Sequence, residues 1–251
     1  MSDTLVIIPT YNERENVANI IQAVMTLDEP FDVLIVDDNS PDKTAHIVKE
    51  LQQAAYPDRL HLLERPGKQG LGTAYIAGFE WALARDYEYI MEMDADFSHD
   101  PADLPRLRAA CATDGADMSV GSRYTRGGKV TNWPLDRIIL SYGASVYVRM
   151  ITLMPIKDPT AGFVCYTRRV LSTLALDRIK FIGYAFQIEM KYATWKLGFK
   201  IKEVPITFTD RKEGISKMSK GIVQEAVGGV FKMRFSRTRK MYRRAELEEQ
   251  A

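Results

Sequence analysis

The chain has 251 residues, of which 46% are apolar and 27% charged, with 34 basic and 33 acidic side chains. This length suffices for one large α/β domain with a substantial core, and the composition excludes a disordered, collagen-like or disulfide-scaffold protein. The formal charge of +1 conceals a gradient, because residues 1–100 carry 7 basic and 19 acidic groups (−12) and residues 101–251 carry 27 and 14 (+13).

Short apolar runs alternate with helical patterns over the first hundred residues. The predicted strands are Thr4–Ile8, Val33–Val36, Leu60–Leu63 and Tyr89–Met93. The predicted helices, whose apolar residues recur with a 3.6-residue period, are Glu15–Met25, Lys43–Ala54 and Gly72–Ala84. This alternation predicts a parallel sheet with crossover helices, and such sheets bind ligands at the carboxyl ends of their strands.

The second half of the chain has a looser pattern. Its predicted elements are the strands Met118–Gly121, Phe163–Tyr166 and Lys200–Val204 and the helix Ala185–Leu197. The apolar stretch Ile138–Ile156 is the nearest approach to a membrane span, but Arg149 near its middle costs about 2.5–3.5 kcal/mol on insertion scales. We therefore expect a buried or interfacial helix there. No repeat or composition break marks a linker, which favours one domain.

The cysteines and the N-terminus indicate where the chain works. Cys111 and Cys165 are too few for a disulfide framework and lie in apolar surroundings, so we expect core residues in a reducing compartment. The N-terminal residues have no basic region and no apolar run of signal-peptide length. The sequence thus predicts a cytoplasmic protein.

Polar residues follow three successive predicted strands. Asp94 and Asp96 follow the fourth strand, Asp37 and Asp38 follow the second, and residues 9–13 (PTYNE) follow the first. A pair of aspartates can hold a hard divalent cation, and strand-end carboxylates can accept hydrogen bonds from a nucleoside. Each group alone is equally typical of a solvated or helix-capping turn. Three of them at neighbouring strand ends predict a nucleotide and metal site.

These segments also carry a family resemblance. The runs IIPTYNE, VDDNSPDKT, GLGTAY, MDADFSHDP, GSRY and FTDRKEGISK follow one another in this chain. In order and spacing they are similar to family 2 glycosyltransferases of the A-type fold, and more narrowly to polyprenyl (dolichyl) phosphate mannose synthases. The resemblance extends from Leu5 to about Lys217. It implies an α/β fold with a mostly parallel central sheet flanked by helices; C-terminal interfacial helices are expected from the pattern of the C-terminal segment.

The resemblance implies roles for the residues of the donor side. Asp94 and Asp96 become ligands of Mg²⁺ or Mn²⁺ on the donor diphosphate. The nucleotide-binding positions become Pro9, Tyr11, Glu13, Val36, Asp38, Asp94 and Ala95. Ser98 stands where the synthases often have Gln, and with Gln187 and Glu189 it is a candidate for the sugar pocket; helix-surface or core placement is the alternative for Gln187 and Glu189. We expect His99 to cap its turn rather than to act as a base or metal ligand.

Basic residues far apart in the sequence are expected to converge on phosphates. By resemblance, these are Arg123, Arg137, Arg211 and Lys217, which we group with Asp96 as catalytic residues. Arginine offers a planar fork for phosphate oxygens and lysine a point charge, although each alone is equally typical of a surface cation. Arg123, Arg137 and Ser141 are the predicted acceptor-phosphate site. Arg211 and Lys217 lie in a Gly-containing loop suited to a lid.

The C-terminal segment predicts a membrane contact. Apolar residues recur at helical spacing from 218 to 231, and residues 229–244 contain seven Lys/Arg and no acid. A basic amphipathic helix is typical of proteins that lie on an anionic membrane, and a solvated helix is the alternative. We divide the chain into a catalytic domain, 1–217, and a membrane-surface segment, 218–251. Nucleic acid is not an expected partner, because the acidic half would repel it.

Together the sequence predicts a metal-dependent, inverting glycosyltransferase, peripheral on the inner face of the membrane. It would move mannose from GDP-mannose onto polyprenyl phosphate. A lipid monophosphate has a second pKa of about 6 and is already ionised at pH 7, so no general base is needed. The alternatives are transfer of glucose or N-acetylglucosamine from a UDP-sugar to the same acceptor, a soluble glycan-extending transferase, and a non-catalytic, membrane-tethered nucleotide-binding module.

Overall fold

The computed structural model of the protein describes residues 2–183, 185–210, 228–235 and 239–244. Its strands are β1 (Thr4–Thr10), β2 (Asp32–Asp37), β3 (Leu60–Glu64), β4 (Tyr89–Glu92), β5 (Met118–Ser122), β6 (Lys129–Thr131), β7 (Val164–Thr167), β8 (Ile201–Pro205) and β9 (Thr207–Thr209). Its helices include α1 (Val17–Met25), α2 (Thr44–Ala54), α3 (Leu71–Leu83), α4 (Leu104–Ala112), α5 (Leu135–Thr152), α6 (Arg168–Thr173) and α7 (Ala185–Lys196). Residues 228–235 and Arg239–Tyr242 are also helical.

Seven strands form one sheet in the order β3-β2-β1-β4-β7-β5-β8. β1 to β4 are mutually parallel, as is the β5–β8 pair, and only β7 runs antiparallel to both of its neighbours. The prediction of a mostly parallel α/β sheet is therefore confirmed. The strand order reverses where β1 lies between β2 and β4, and such a switch point opens a crevice at the carboxyl ends of the strands.

The sheet is covered on both faces, which explains why its central strands are continuous apolar runs. One buried cluster joins the sheet to α3, α6 and α7, and the other joins it to α1, α2 and α4. α3 packs closely on β1, since a Cβ added at Gly78 would lie 2.8 Å from the side chain of Ile7. Both cysteines are free and buried, as predicted.

Helix α5 is largely exposed, so residues 138–156 do not form a buried helix, and their interfacial placement stays a prediction. Only Ser145, Val148 and Thr152 of this helix are buried, whereas Ile139 and Met150 are among its largely exposed apolar side chains. Within the residues that the structure describes, no helix combines the length and hydropathy that crossing a bilayer requires.

Parts of the segment after residue 217 belong to the main core. Val230, Met233 and Tyr242 are buried in the cluster that includes α7, and Tyr242 O accepts a hydrogen bond from the Ala175 N–H at 2.9 Å. Phe231 and Phe235 of the same segment are exposed. The division at residue 217 stays a prediction.

Candidate active site

The carboxyl ends of β1 and β2 are joined by short hydrogen bonds. Thr10 Oγ1 donates to Asp37 Oδ1 at 2.9 Å, and the backbone N–H and hydroxyl of Ser40 donate to the same carboxylate at 2.9 and 2.6 Å. Asp37 is fully buried. Of the two acids after β2, Asp37 therefore builds the turn, and Asp38 is the candidate for contact with a ligand.

Asp38 is paired with an arginine that sequence reasoning missed. Arg65, which follows β3, places Nη1 3.1 Å from Asp38 Oδ1, and its Nη2 donates to Thr73 Oγ1 at 2.7 Å. Burial raises the pKa of Asp38, against the opposing charge of Arg65. Among the described residues Asp38 Oδ1 accepts no aligned hydrogen bond. This oxygen and Arg65 Nη1 are both buried, so the two groups are held together mainly by charge.

The loop after β1 presents the other predicted nucleotide residues. The ring of Tyr11 is half-buried and lies 4.8 Å from the Lys68 ammonium. Glu13 accepts from Asn16 Nδ2 at 3.0 Å. Pro9 and Val36 are partners across the β1–β2 ladder, and Val36 is fully buried. The structure thus brings these positions to one strand edge; their contact with a nucleotide stays a prediction.

Asp94 and Asp96 lie on a tight loop after β4. The Ser98 N–H donates to Asp96 Oδ1 at 3.0 Å, which fixes the second aspartate, whereas the Asp94 side chain is 40% exposed. Phe97 has a φ of 58°, a left-handed conformation that is uncommon for an aromatic residue. Ala95 and Ser98 are buried in this loop.

His99 supports the loop, as predicted. Its Nδ1 accepts the Asp94 backbone N–H at 3.3 Å, and its ring stacks on Phe163 with 4.9 Å between centroids. Burial lowers the pKa of His99 to about 4, so the ring is neutral at pH 7. A neutral ring whose Nδ1 accepts a backbone hydrogen bond carries its proton on Nε2.

Two loop carboxylates fit a divalent cation by their donor chemistry, because Mg²⁺ and Mn²⁺ prefer oxygen ligands. Among the described residues no group of three His, Cys, Asp or Glu side chains is placed to hold a metal. A cation at Asp94 and Asp96 would therefore take its other ligands from water and substrate oxygens.

Arg123 is held by a buried carboxylate. Its Nε and Nη2 donate to the two oxygens of Asp158 at 2.8 and 2.7 Å, and Nη2 also donates to Thr160 Oγ1 at 2.8 Å. The side chains of Arg123 and Asp158 are only 9% and 0% exposed. Three of the five guanidinium N–H groups are thus engaged inside the protein, which orients the arginine rigidly. Its contact with a phosphate stays a prediction.

Trp133 brings the two predicted phosphate arginines together. The Arg137 guanidinium lies 4.0 Å from the indole and that of Arg123 lies 5.8 Å from it. Arg137 Nη1 also donates to Asp210 Oδ1 at 2.9 Å, and Asp210 is the last described residue before the predicted lid. Ser141, one turn after Arg137 on α5, accepts the hydroxyl hydrogen of Tyr124 at 2.7 Å.

The sugar-pocket candidates on α7 lie in the interior. Gln187 Nε2 donates to Glu92 Oε2 at 2.7 Å, and Glu189 Oε2 accepts the N–H groups of Lys180 and Phe181 at 2.8 and 3.0 Å. Both side chains are buried and have protein partners. This is the core placement weighed for them above, and contact with a sugar stays a prediction.

Two predicted site residues lie outside the residues that the structure describes, and two residues of the site were not predicted from the sequence. Arg211 and Lys217 lie outside the described residues. Sequence reasoning missed Arg65 and Asp158; of the two, Arg65 had a local signal, since it follows a strand end.

Comparisons with known proteins agree with this geometry. The family model "Glycosyl transferase family 2" matches residues 5–179. Polyprenol monophosphomannose synthase of Mycolicibacterium smegmatis is 48% identical over 224 residues, which are 89% of this chain and 84% of that protein. Undecaprenyl-phosphate mannosyltransferase of Micrococcus luteus is 46% identical over 226 residues, 90% of this chain and 91% of that protein.

Among solved structures, glucosyl-3-phosphoglycerate synthase of Mycobacterium tuberculosis, in complex with Mn²⁺, UDP and phosphoglyceric acid, has a TM-score of 0.65. It is 16% identical, and the match covers 92% of this chain and 78% of that chain. At this identity the likeness establishes the fold, with its crevice at the switch point of the sheet.

Proposed function

The chain belongs to glycosyl transferase family 2, and we propose that this glycosyltransferase moves mannose from GDP-mannose to a polyprenyl phosphate. One observation carries the proposal: the chain is similar, over almost its full length, to two proteins named as mannose synthases of polyprenol-type lipids. The arrangement of acidic strand ends on one side and paired arginines on the other supports it.

The donor is assigned to the carboxyl ends of β1, β2 and β4. We propose that the carboxylate of Asp38, at the carboxyl end of β2, accepts an N–H of the nucleoside. Tyr11 and Glu13 complete the nucleoside contact, with Pro9, Val36 and Ala95 lining it. Arg65 holds Asp38 in place through the 3.1 Å ion pair.

The metal is assigned to Asp94 and Asp96, as Mg²⁺ or Mn²⁺. When bound, it supplies positive charge to the diphosphate that leaves the sugar. The protein itself contributes a fixed loop, because the Ser98 N–H holds the Asp96 side chain and neutral His99 holds the backbone at Asp94. The assignment of the metal to the two aspartates relies on these two hydrogen bonds alone.

The acceptor phosphate is assigned to Arg123, Arg137 and Ser141, with Arg211 and Lys217 proposed to close over both phosphates. A phosphate oxygen, already ionised at pH 7, attacks the anomeric carbon of mannose. The new carbon–oxygen bond forms as the bond to the diphosphate breaks, so attack from the opposite face inverts the configuration. No general base is needed, because the acceptor oxygen is already ionised.

The lipid side is assigned to α5. Along this helix and its C-terminal cap, one set of apolar residues recurs at spacings of three and four, which places the set on one face. The set consists of Leu135, Ile139, Tyr142, Val146, Met150 and Leu153. All but the half-buried Val146 are more than half exposed. The face toward the protein carries Ser145, Val148 and Thr152. A helix with its apolar face outward suits a peripheral position on the inner membrane leaflet.

We expect polar substitution of this exposed stripe to weaken membrane binding. Burying one such side chain contributes about 1.5–3 kcal/mol, so Ile139→Ser with Met150→Ser should lower partitioning into phosphatidylglycerol vesicles about 100-fold or more, as measured by vesicle sedimentation. Leu140→Ser is the matched control, because Leu140 is 57% exposed on the same helix but lies off the stripe. Equal losses in both proteins would contradict this assignment.

The basic residues of 218–251 are proposed to add an electrostatic contribution, since each basic group near an anionic leaflet supplies about 1 kcal/mol. In this division the catalytic domain is 1–217. We expect vesicle binding to weaken as salt rises, because the charge contribution is screened whereas that of the α5 stripe is not.

A donor panel tests the proposed reaction. The purified protein is offered GDP-mannose, UDP-glucose and UDP-N-acetylglucosamine, each with a short polyprenyl phosphate and either Mg²⁺ or Mn²⁺, and release of nucleoside diphosphate is measured. We expect release only from GDP-mannose, only with the lipid phosphate present. Release from a UDP-sugar alone would overturn the donor, and release without lipid would overturn the acceptor.

A further inference from the structure

A fully buried lysine lies between the donor and acceptor sides of the site. The Lys191 ammonium, on α7, donates to Ala161 O at 2.6 Å, to Gln187 Oε1 at 3.0 Å and to Gln187 O at 3.2 Å. Gln187 Nε2 in turn donates to Glu92 Oε2 at 2.7 Å. Glu92 ends β4, two residues before Asp94. One end of this polar chain is therefore β4, the strand that leads into the loop with the predicted metal ligands.

The other end reaches Arg123 through the turn at residues 158–161. The Ala161 N–H donates to Asp158 O at 3.4 Å, and Thr160 Oγ1 donates to Asp158 Oδ1 at 3.2 Å. Asp158 and Thr160 are the partners of the Arg123 guanidinium. Glu203 accepts the Asp158 N–H at 3.0 Å. The turn is thus held by Glu203 at its start and by Lys191 at its end.

Burying a lysine at this position costs free energy, and packing alone does not explain why a lysine is there. Removing an ammonium from water is unfavourable unless it is fully hydrogen-bonded and near opposite charge, and an apolar side chain would fill the same space without that cost. Burial lowers the pKa of Lys191 to about 8, against the attraction of Glu92 and Asp158. All three ammonium hydrogens nevertheless have acceptors, one of them on the turn that orients Arg123.

We propose that Lys191 is a positioning residue for the acceptor side: it holds the 158–161 turn, and through Asp158 and Thr160 it sets the Arg123 guanidinium for the acceptor phosphate. This inference rests on the proposed function. Lys191 itself touches neither substrate; its effect on the reaction passes through Ala161 O and the turn.

Lys191→Met tests the proposal, because methionine keeps most of the length and none of the donors. A misplaced catalytic contact costs up to about 100-fold, and we expect the KM for polyprenyl phosphate to rise about 10- to 100-fold. The dissociation constant of GDP, measured by calorimetry, should stay within about twofold, since the donor side is held by other contacts. Thr194→Val is the matched control: Thr194 is equally buried on α7, and among the described residues its hydroxyl donates to Met190 O of its own helix, away from the 158–161 turn.

The outcomes separate positioning from stability. Both variants are expected to lower the melting temperature, but only Lys191→Met should raise the acceptor KM. Lys191→Gln, which retains an amide donor, should give an intermediate KM and keeps the test available if the methionine variant does not fold. An unchanged acceptor KM, or an equal loss of GDP affinity, would overturn the inference. Absence of turnover in the wild-type protein would instead overturn the proposed function.

Discussion

Replacing either aspartate of the β4 loop by asparagine is expected to lower kcat about 100- to 1,000-fold, the loss that follows removal of one electrostatic contact to the transition state. Asparagine preserves shape: in Asp96→Asn the side-chain carbonyl can still accept the Ser98 N–H. The loss would therefore reflect the missing charge. The second readout is binding of Mn²⁺ in the presence of GDP, measured by calorimetry or electron paramagnetic resonance, which should weaken in parallel.

Asp100→Asn is the control for this charge change. Asp100 is exposed on the same loop, and its Oδ1 accepts the Ala102 N–H at 3.0 Å, a bond that asparagine can also accept. It removes one negative charge near the site without touching the proposed ligands, so kcat should change less than about threefold. Full metal-dependent turnover in Asp94→Asn or Asp96→Asn would contradict the assignment of the metal to these two aspartates, but it would not contradict the fold.

The fold around the proposed donor side was predictable because the sequence information for it is local. β1 and β2 are buried and mostly apolar, and the carboxyl ends of parallel strands meet at one edge of a sheet, so the sequence could assign Asp38, Asp94 and Asp96 to that edge. Even so, the division of labour between Asp37 and Asp38 was not visible. It depends on Thr10 and Ser40, whose hydrogen bonds bury the first of the two carboxylates.

The proposed acceptor side was assigned only through family resemblance, because the contacts around it join distant parts of the chain. Asp158 lies 35 residues after Arg123 in a segment without a motif, and Lys191 reads as an ordinary surface residue of a helix. The antiparallel strand β7 brings these segments together, and no local sequence pattern indicates that this strand runs antiparallel to its neighbours. The outward apolar face of α5 was equally hidden, since its period is the same whichever way the helix faces.

Asp158→Asn is expected to destabilise the protein by about 3–5 kcal/mol, because it leaves the buried charge of Arg123 without its partner. Burial alone would raise the pKa of Asp158, but the hydrogen bonds and charge of Arg123 outweigh it and leave the pKa below the ordinary value of 3.8. A lowered pKa stabilises the fold above the ordinary value, and this contribution is lost as the pH falls through the folded-state pKa. The gap in unfolding free energy between wild type and variant should be constant from roughly pH 5 to 8 and narrow below about pH 4.

Asp114→Asn is the control, since Asp114 pairs with Lys202 at 2.5 Å but both side chains are about half exposed. A surface pair contributes about 0–1 kcal/mol, so urea unfolding should separate the two variants clearly. A loss in Asp158→Asn as small as that in Asp114→Asn would show that the Arg123 charge is not sequestered.

The double variant Arg123→Met with Asp158→Leu separates stability from chemistry. Replacing both members of a buried ion pair by apolar side chains of similar size is often neutral or stabilising, because no charge is left unpaired. We therefore expect the double variant to recover most of the stability that Asp158→Asn loses, while turnover with polyprenyl phosphate stays at least about 100-fold below wild type. Recovery of both stability and turnover would show that the Arg123–Asp158 ion pair serves folding alone. Recovery of stability without turnover would place Arg123 where the acceptor phosphate binds, with Asp158 as the carboxylate that orients it.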